Sequence, residues 1–260
     1  MSALLALVLL LLPGFASAAW AEEIQPDRPE VTESARLVPR GSVQLETGAV
    51  FSREQFAGMP SQNVFGIEAD LRIGVARQIE VNIEGDPFVR VRGPQDDTGF
   101  GEVTLGFRYR LVEGEDDEAW PPSVAVKPFL KLPGAGEPIG TGRPDFGALL
   151  LASFSLPWEF ELEVNAGVAA IGQIDTSNFR PQGIASASLS HDIARGLFGF
   201  LEFFYKSREQ RDESQQFFIN TGLVYRVTPI FAVDAGVQVS LFGQGPDYVI
   251  RTGLSVLFRR

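Results

Sequence analysis

The sequence predicts an all-β chain: an antiparallel transmembrane β-barrel of about twelve strands behind an N-terminal leader. Three observations carry this. Long runs alternate apolar and polar residues with a period of two, charge is segregated onto one face of those runs, and the connections are alternately short and long. The last run is the clearest. From Tyr248 to Phe258, Tyr248, Ile250, Thr252, Leu254, Val256 and Phe258 share one face, while Val249, Arg251, Gly253, Ser255 and Leu257 share the other. That is roughly twice the length of a common soluble strand and matches the ~9–11 residues of a tilted membrane crossing.

Composition narrows the class. The chain has 260 residues, no cysteine, 27 glycines, 21 phenylalanines and a formal net charge of −11. The acidic balance argues against a nucleic-acid partner, whose phosphates would repel it. After the N-terminus no apolar run reaches the ~18 residues of a transmembrane helix. Leu4 to Leu12 is an apolar core broken by Pro13-Gly14 and followed by the small-residue sites Ala16-Ser17-Ala18 and Ala19-Trp20-Ala21. Residues 1–21 therefore read as a secretory signal peptide, with cleavage after Ala21 favoured over Ala18. Zero cysteines suits a chain exported through an oxidising periplasm without disulfides.

The mature chain then divides into a leader, residues 22–41, and a barrel, residues 42–258. Ile24 to Arg40 has no period and carries Pro26, Pro29 and Pro39, so it is expected to run extended ahead of the first strand. Ser42 to Phe51 sets Val43, Leu45, Ala49 and Phe51 against Gln44 and Glu46. Phe65 to Val75 and Ile79 to Ile83 form an amphipathic hairpin around Ala76-Arg77-Gln78, with Glu68, Asp70, Arg72, Glu80 and Glu84 on its polar face. Asp86 to Gly99 reads as a polar loop. Val103 to Leu111 alternates against Glu102, Arg108 and Arg110, and Ser123 to Leu132 carries Lys127 and Lys131. Phe146 to Leu156 turns at Pro157-Trp158 into Phe160 to Ile171. Gly183 to His191, Leu197 to Lys206, Phe217 to Val227 and Phe231 to Leu241 precede the terminal strand.

Charge segregation suits a barrel, since a Lys or Arg facing lipid at mid-membrane costs roughly 2–4 kcal/mol. Loop lengths point the same way. With a periplasmic N-terminus, the turns at residues 76–78, 157–158, 192–196 and 227–229 fall at the periplasmic rim. The longer loops at 52–63, 86–99 and 207–215 fall outside. The acidic connection Glu113 to Pro122 departs from that rule. Trp120 and Trp158 both land at the periplasmic rim, as members of an aromatic girdle would.

Several stretches carry a resemblance. Arg251, Gly253, Val256 and Phe258 are spaced as in the C-terminal sorting signal of bacterial outer-membrane barrels, here followed by Arg259 and Arg260. Ile24, Asp27-Arg28-Pro29, Thr32, Ser34 and Gly41 to Gly48, then Leu71 to Val75, Lys131 to Gly134, Thr141 to Asp145 and Glu202, resemble the outer-membrane transporters grouped as the MetA-pathway of phenol degradation family. The resemblance implies a bacterial outer-membrane barrel and, loosely, a link with aromatic compounds. It supplies no catalytic residue.

Candidate pore-lining and plug residues follow from parity. They are Asp27, Arg28, Glu46, Glu68, Asp70, Arg72, Glu80, Glu102, Arg108, Arg110, Lys127, Lys131, Glu202 and Arg251. Glu84, Glu161, Glu163 and Asp234 share the inward face. Either these charges form a selective constriction or they neutralise neighbours across a narrow lumen. Asp27-Arg28 is placed to enter that lumen, Arg28 pairing with Glu46, Glu68 or Glu80, or else to be pinned at the rim. Phe198, Phe200 and Phe204 share parity with Glu202 and so point inward, unless a bulge turns them to lipid. Ser190-His191 makes a poor hydrolase dyad, because adjacent strand residues face opposite ways. No Cys/His metal spacing, cofactor motif or catalytic constellation stands out. Asp96-Asp97 and Glu115 to Glu118 read as solvated turns. The expected function is an outer-membrane channel for passive or facilitated passage of small solutes, with aromatic or hydrophobic compounds as candidates. The alternative is a structural or adhesive barrel with a closed lumen and partner-binding loops. Expected partners are outer-membrane lipid, the solute, and the barrel-assembly machinery acting on Tyr248 to Phe258.

Overall fold

A computed structural model describes residues 23–55, 60–114, 119–174, 176–210, 214–243 and 245–259. The signal segment 1–21 and the acidic run Glu115 to Glu118 lie outside the described residues. Thirteen strands follow the leader: β1 (Val43–Glu54), β2 (Gln62–Ala76), β3 (Ile79–Arg92), β4 (Asp97–Gly99), β5 (Val103–Val112), β6 (Ser123–Leu132), β7 (Asp145–Leu156), β8 (Phe160–Gly172), β9 (Phe179–Ala194), β10 (Leu197–Lys206), β11 (Gln216–Thr228), β12 (Phe231–Gly243) and β13 (Tyr248–Phe258). β4 is a three-residue strand laid against the far end of β3. The other twelve pair antiparallel with their neighbours, and β1 pairs with β13 from Val43↔Phe258 to Arg53↔Tyr248, closing the barrel. Closure leaves the cylinder of twelve strands without an open edge, which a bilayer would not tolerate.

Alternation sets the two faces. Phe65, Leu105, Phe146, Leu150, Val168, Leu201, Leu223, Val237, Ile250 and Leu254 point outward and are exposed. Glu46, Arg72, Glu80, Arg108, Lys127, Glu202 and Asp234 are buried on the inner face. The rim holding the chain's C-terminus has tight connections: Arg77-Gln78, Pro157 to Glu159, Arg195-Gly196 and Pro229-Ile230. Positive φ at Trp158 (63°), Glu159 (60°) and Gly196 (76°) reverses the chain there. Trp120 and Trp158 lie at this rim and are exposed. Segments 133–144 and 207–215 at the opposite rim are longer.

The expected loop at Asp86 to Gly99 is corrected. β3 continues to Arg92 and turns back into β4, with Val89↔Gly99 and Val91↔Asp97 paired. Gly85 and Pro87 look like a strand end. Instead a register shift between Ile67 and Ala69 in the β2–β3 ladder absorbs them. Beyond the shift Val89 and Val91 resume the inner face, while Phe88, Arg90 and Arg92 face out. Other strands also outrun their predicted ends, among them β1 to Glu54, β2 from Gln62 and β9 from Phe179 to Ala194.

Candidate functional site

The lumen is occupied by the leader, which has no strand of its own and so must find partners for its amides on the wall. It starts at the C-terminal rim, where the Ile24 N–H donates to the Pro229 carbonyl at 2.8 Å. Ile24 and Val38 pack together with Val224, Ala232, Leu257 and Phe198. The segment between them therefore loops into the barrel and returns to the same rim. A turn closes its tip, with the Glu30 N–H donating to the Asp27 carbonyl at 3.1 Å, and Ser34 N–H donates to Asp27 Oδ1 at 3.1 Å across the two arms.

Three wall carboxylates hold the leader backbone. Glu46 accepts the Asp27 and Arg28 amides at 3.3 and 3.0 Å. Glu202 accepts the Val31 amide at 3.0 Å, the Thr32 amide and hydroxyl, and Asn220 Nδ2 at 2.7 Å. Glu80 accepts the Val38 amide at 2.6 Å. Neutral groups complete the set. Asn165 accepts from the Glu33 N–H at 2.7 Å and donates to the Glu33 carbonyl at 2.8 Å, and Ser153 Oγ accepts the Ala35 amide at 2.9 Å. Each ionised acceptor is worth roughly twice a neutral one.

Side-chain charges bind the leader a second time. Asp27 sits 2.6 Å from Arg108 Nη2 and 3.2 Å from Arg72 Nη1. Glu33 lies 2.5 Å from Arg108 and 2.7 Å from Lys127, which also meets Glu84. Arg72 bridges Glu46 at 3.1 Å and Glu80 at 2.9 Å. Arg36 meets Glu161 at 2.8 Å. Arg28 reaches Glu68 at 2.8 Å and Asp234 at 3.6 Å. Of the three partners expected for Arg28, Glu68 takes the guanidinium and Glu46 takes the backbone amide. Glu80, at the start of β3 by the C-terminal rim, belongs instead to Arg72.

Glycines clear the path. Gly48 and Gly253 pair across β1 and β13, and the Arg28 guanidinium lies on them. A Cβ on Gly253 would stand 2.8 Å from Arg28 Nε. Replacing Gly253 with Val is expected to displace Arg28 and lower the melting temperature by several degrees, read in detergent, while Ala costs less.

The remaining candidates are held by other groups, and Asp70, Glu102, Lys131 and Arg251 line the cavity beside the tip. Lys131 pairs with Glu102 at 2.9 Å and Asp145 at 2.6 Å, and Thr141 of the 133–144 loop donates its amide to Glu102 at 2.9 Å. Arg110 sits at the C-terminal rim against Glu113 and the Arg77 carbonyl. Arg251 lies 3.7 Å from Glu68 and donates to Gln238. Asp70 falls between Glu46 and Glu84 in the ladder, and its Oδ1 has no hydrogen-bond partner. Charges thus pair both between strands and from wall to leader. Asp96 closes its turn by accepting from the Gly93 amide at 3.0 Å and from Arg92.

Phe198, Phe200 and Phe204 face inward. A bulge does occur between Leu197 and Phe198, but Ile193 of β9 takes the extra residue, so β10 keeps its register. Phe204 stacks near Phe218 at 6.4 Å. His191 stacks on Phe160 at the C-terminal rim, with centroids 4.3 Å apart. Ion pairs thus concentrate on β1 to β6, while the inner face of β7 to β11 mixes polar groups such as Ser153, Asn165, Gln182, Glu202 and Asn220 with the apolar side chains Leu149, Leu151, Ile171, Phe200, Phe204 and Phe218. Cavities of about 310 and 380 Å³ lie on the C-terminal-rim side of the leader, and of about 430 and 320 Å³ on the loop side.

A closed twelve-stranded barrel with its own N-terminal segment folded inside defines an outer-membrane-type barrel. The chain belongs to the family described as "Putative MetA-pathway of phenol degradation", whose model matches residues 26–258. Among solved structures it is similar to the COG4313 outer membrane channel from Pseudomonas putida F1, with TM-score 0.65 and 9% identity over 91% of this chain and 100% of that one. It is also similar to the NanC porin, with TM-score 0.54 and 9% identity over 82% and 98% of the two chains. The KdgM porin gives TM-score 0.51 with 9% identity over 82% and 98%. Curated protein sequences give no significant match.

Proposed function

We propose that the protein is an outer-membrane channel for passive or facilitated passage of small solutes, with no catalytic role, and that the leader is a plug setting the width of the lumen. The observation that carries this is the mode of attachment. The leader tip is held by hydrogen bonds, ion pairs and packing, and cavities flank it on both sides. Family membership and the similar channel and porin folds support the same placement, with the chain termini on the periplasmic side. In this reading Tyr248 to Phe258 is the strand offered to the assembly machinery. The inward Phe200, Phe204 and Phe218, set among polar and charged side chains, favour solutes with an apolar ring and a polar substituent.

Planar-bilayer recording tests the proposal. Small discrete conductance steps are expected, reduced by millimolar aromatic acids on the loop side. A protein that stays silent in every condition, leaderless variant included, would favour a closed structural barrel. A milder change probes the latch: Glu202→Gln keeps an acceptor but removes its charge. It is expected to increase brief openings several-fold without unfolding the barrel.

A further inference from the structure

Three arginines on the outer wall have no part in the lumen. Arg53 on β1 and Arg92 on β3 flank Asn63 of β2 in one row, since Arg53↔Asn63 and Asn63↔Arg92 are paired. Arg90 lies one outward step below Arg92 and pairs with Phe65. All three are exposed and share the parity of Phe51, Phe65 and Phe88, the residues that face away from the lumen.

Their height is telling. At roughly 3.3 Å per residue and a tilt of roughly 40°, β1 rises roughly 25 Å from Val43 to Arg53, the thickness of a barrel's apolar band. Phe65 packs edge-on against Phe88, with centroids 6.3 Å apart, and Phe51 packs against Tyr248 at 6.2 Å. Phe65 and Tyr248 stand level with Arg90 and Arg53, and Phe51 and Phe88 one outward step below, as a headgroup-level aromatic girdle does. Adjacent strands lie about 4.8 Å apart, so Arg53 and Arg92 are about 10 Å apart at the backbone, and their long side chains can converge over Asn63. Arg92 is met by Asp96, whereas among the described residues Arg53 and Arg90 have no ion pair.

We propose that Arg53, Arg90 and Arg92 form an external binding site for the phosphate of an anionic glycolipid headgroup in the outer leaflet. Guanidinium groups bind phosphate bidentately, and an arginine beside an anionic membrane surface strengthens association roughly five-fold. Asp96 is the internal anion that keeps Arg92 in place when no lipid is bound. The proposal rests on the outer-membrane placement above but not on conduction.

The purified barrel would be titrated in mild detergent with bisphosphorylated lipid A, with the same lipid stripped of phosphate, and with inorganic phosphate, and read by native mass spectrometry and melting. Bisphosphorylated lipid A is expected to bind and raise the melting temperature. R53A/R90A/R92A should weaken binding on the order of a hundred-fold, and the triple lysine variant only in part. Should the triple variant fail to fold, Arg53→Gln alone gives the same readout, with roughly five-fold weaker binding. Equal binding of the phosphate-free lipid, unchanged binding by the arginine variants, or full stabilisation by inorganic phosphate would each overturn the assignment. Because binding is read by mass, a silent channel leaves it standing, and a conducting barrel that takes no lipid defeats it alone.

Discussion

Deleting residues 22–37 is expected to raise single-channel conductance several-fold and to lower the melting temperature of the same preparation. The two effects share a cause. The deletion empties the middle of the lumen and at the same time removes Asp27, Glu33 and the backbone amides that answer Glu46 and Glu202. Arg108 then loses its two nearest anions and Lys127 keeps Glu84 but loses Glu33, and water must replace them. A leaderless barrel that melted like the parent and conducted no better would show that the leader neither fills the lumen nor braces it. Arg28→Ala should move both readouts in the same direction by a smaller amount, because it removes only the ion pairs to Glu68 and Asp234 found among the described residues and leaves Asp27, Glu33 and the leader backbone in place.

Arg108→Ala is expected to be the most destabilising single substitution. Arg108 is 1% exposed and lies against Asp27, Glu33 and Glu80, the last at 3.6 Å. Removing one partner of a buried ion pair costs roughly 3–5 kcal/mol, because the other charge is left unsolvated. Here two of the stranded carboxylates sit on the leader, so the loss should also loosen the plug. Urea unfolding in detergent measures the first effect and open probability the second. Arg108→Lys should recover less than half of the stability, since one ammonium can replace Nη2 between Asp27 and Glu33 but cannot also reach the Ser34 carbonyl and Glu80 as Nη1 and Nε do. A denaturation midpoint within error of the parent would refute the claim that this guanidinium anchors the leader.

The wall was largely legible in the sequence, and the interior only by type. Strand parity follows from a two-residue repeat, so Glu46, Arg72, Glu80, Arg108 and Glu202 could be assigned inward without coordinates. Their partners could not, because pairing depends on register across strands far apart in the chain. Asp234, reached by Arg28 from the other side of the closure, is such a case. Asn165 and Ser153 were overlooked as leader contacts because neutral polar residues on an inner face give no signal that distinguishes a ligand from a filler. The looped course of the leader was also invisible. A segment without periodicity carries no record of its path, and the prolines suggested only that it was extended. Gly85 and Pro87 misled for a related reason, being breakers in isolation that a bulge accommodates.

Arg28 also bears on the integrity of the wall. It reaches from Glu68 on β2 to Asp234 on β12, lying over the Gly48–Gly253 pair where the first and last strands meet. Among the described strands this junction alone joins opposite ends of the chain, and the leader is fastened across it from inside like a staple. Withdrawing the leader would therefore unfasten the seam as well as clear the passage. A gate and a hoop in one segment tie permeability to mechanical strength, so any partner or solute that pulls the leader free also makes β1 and β13 easier to unzip.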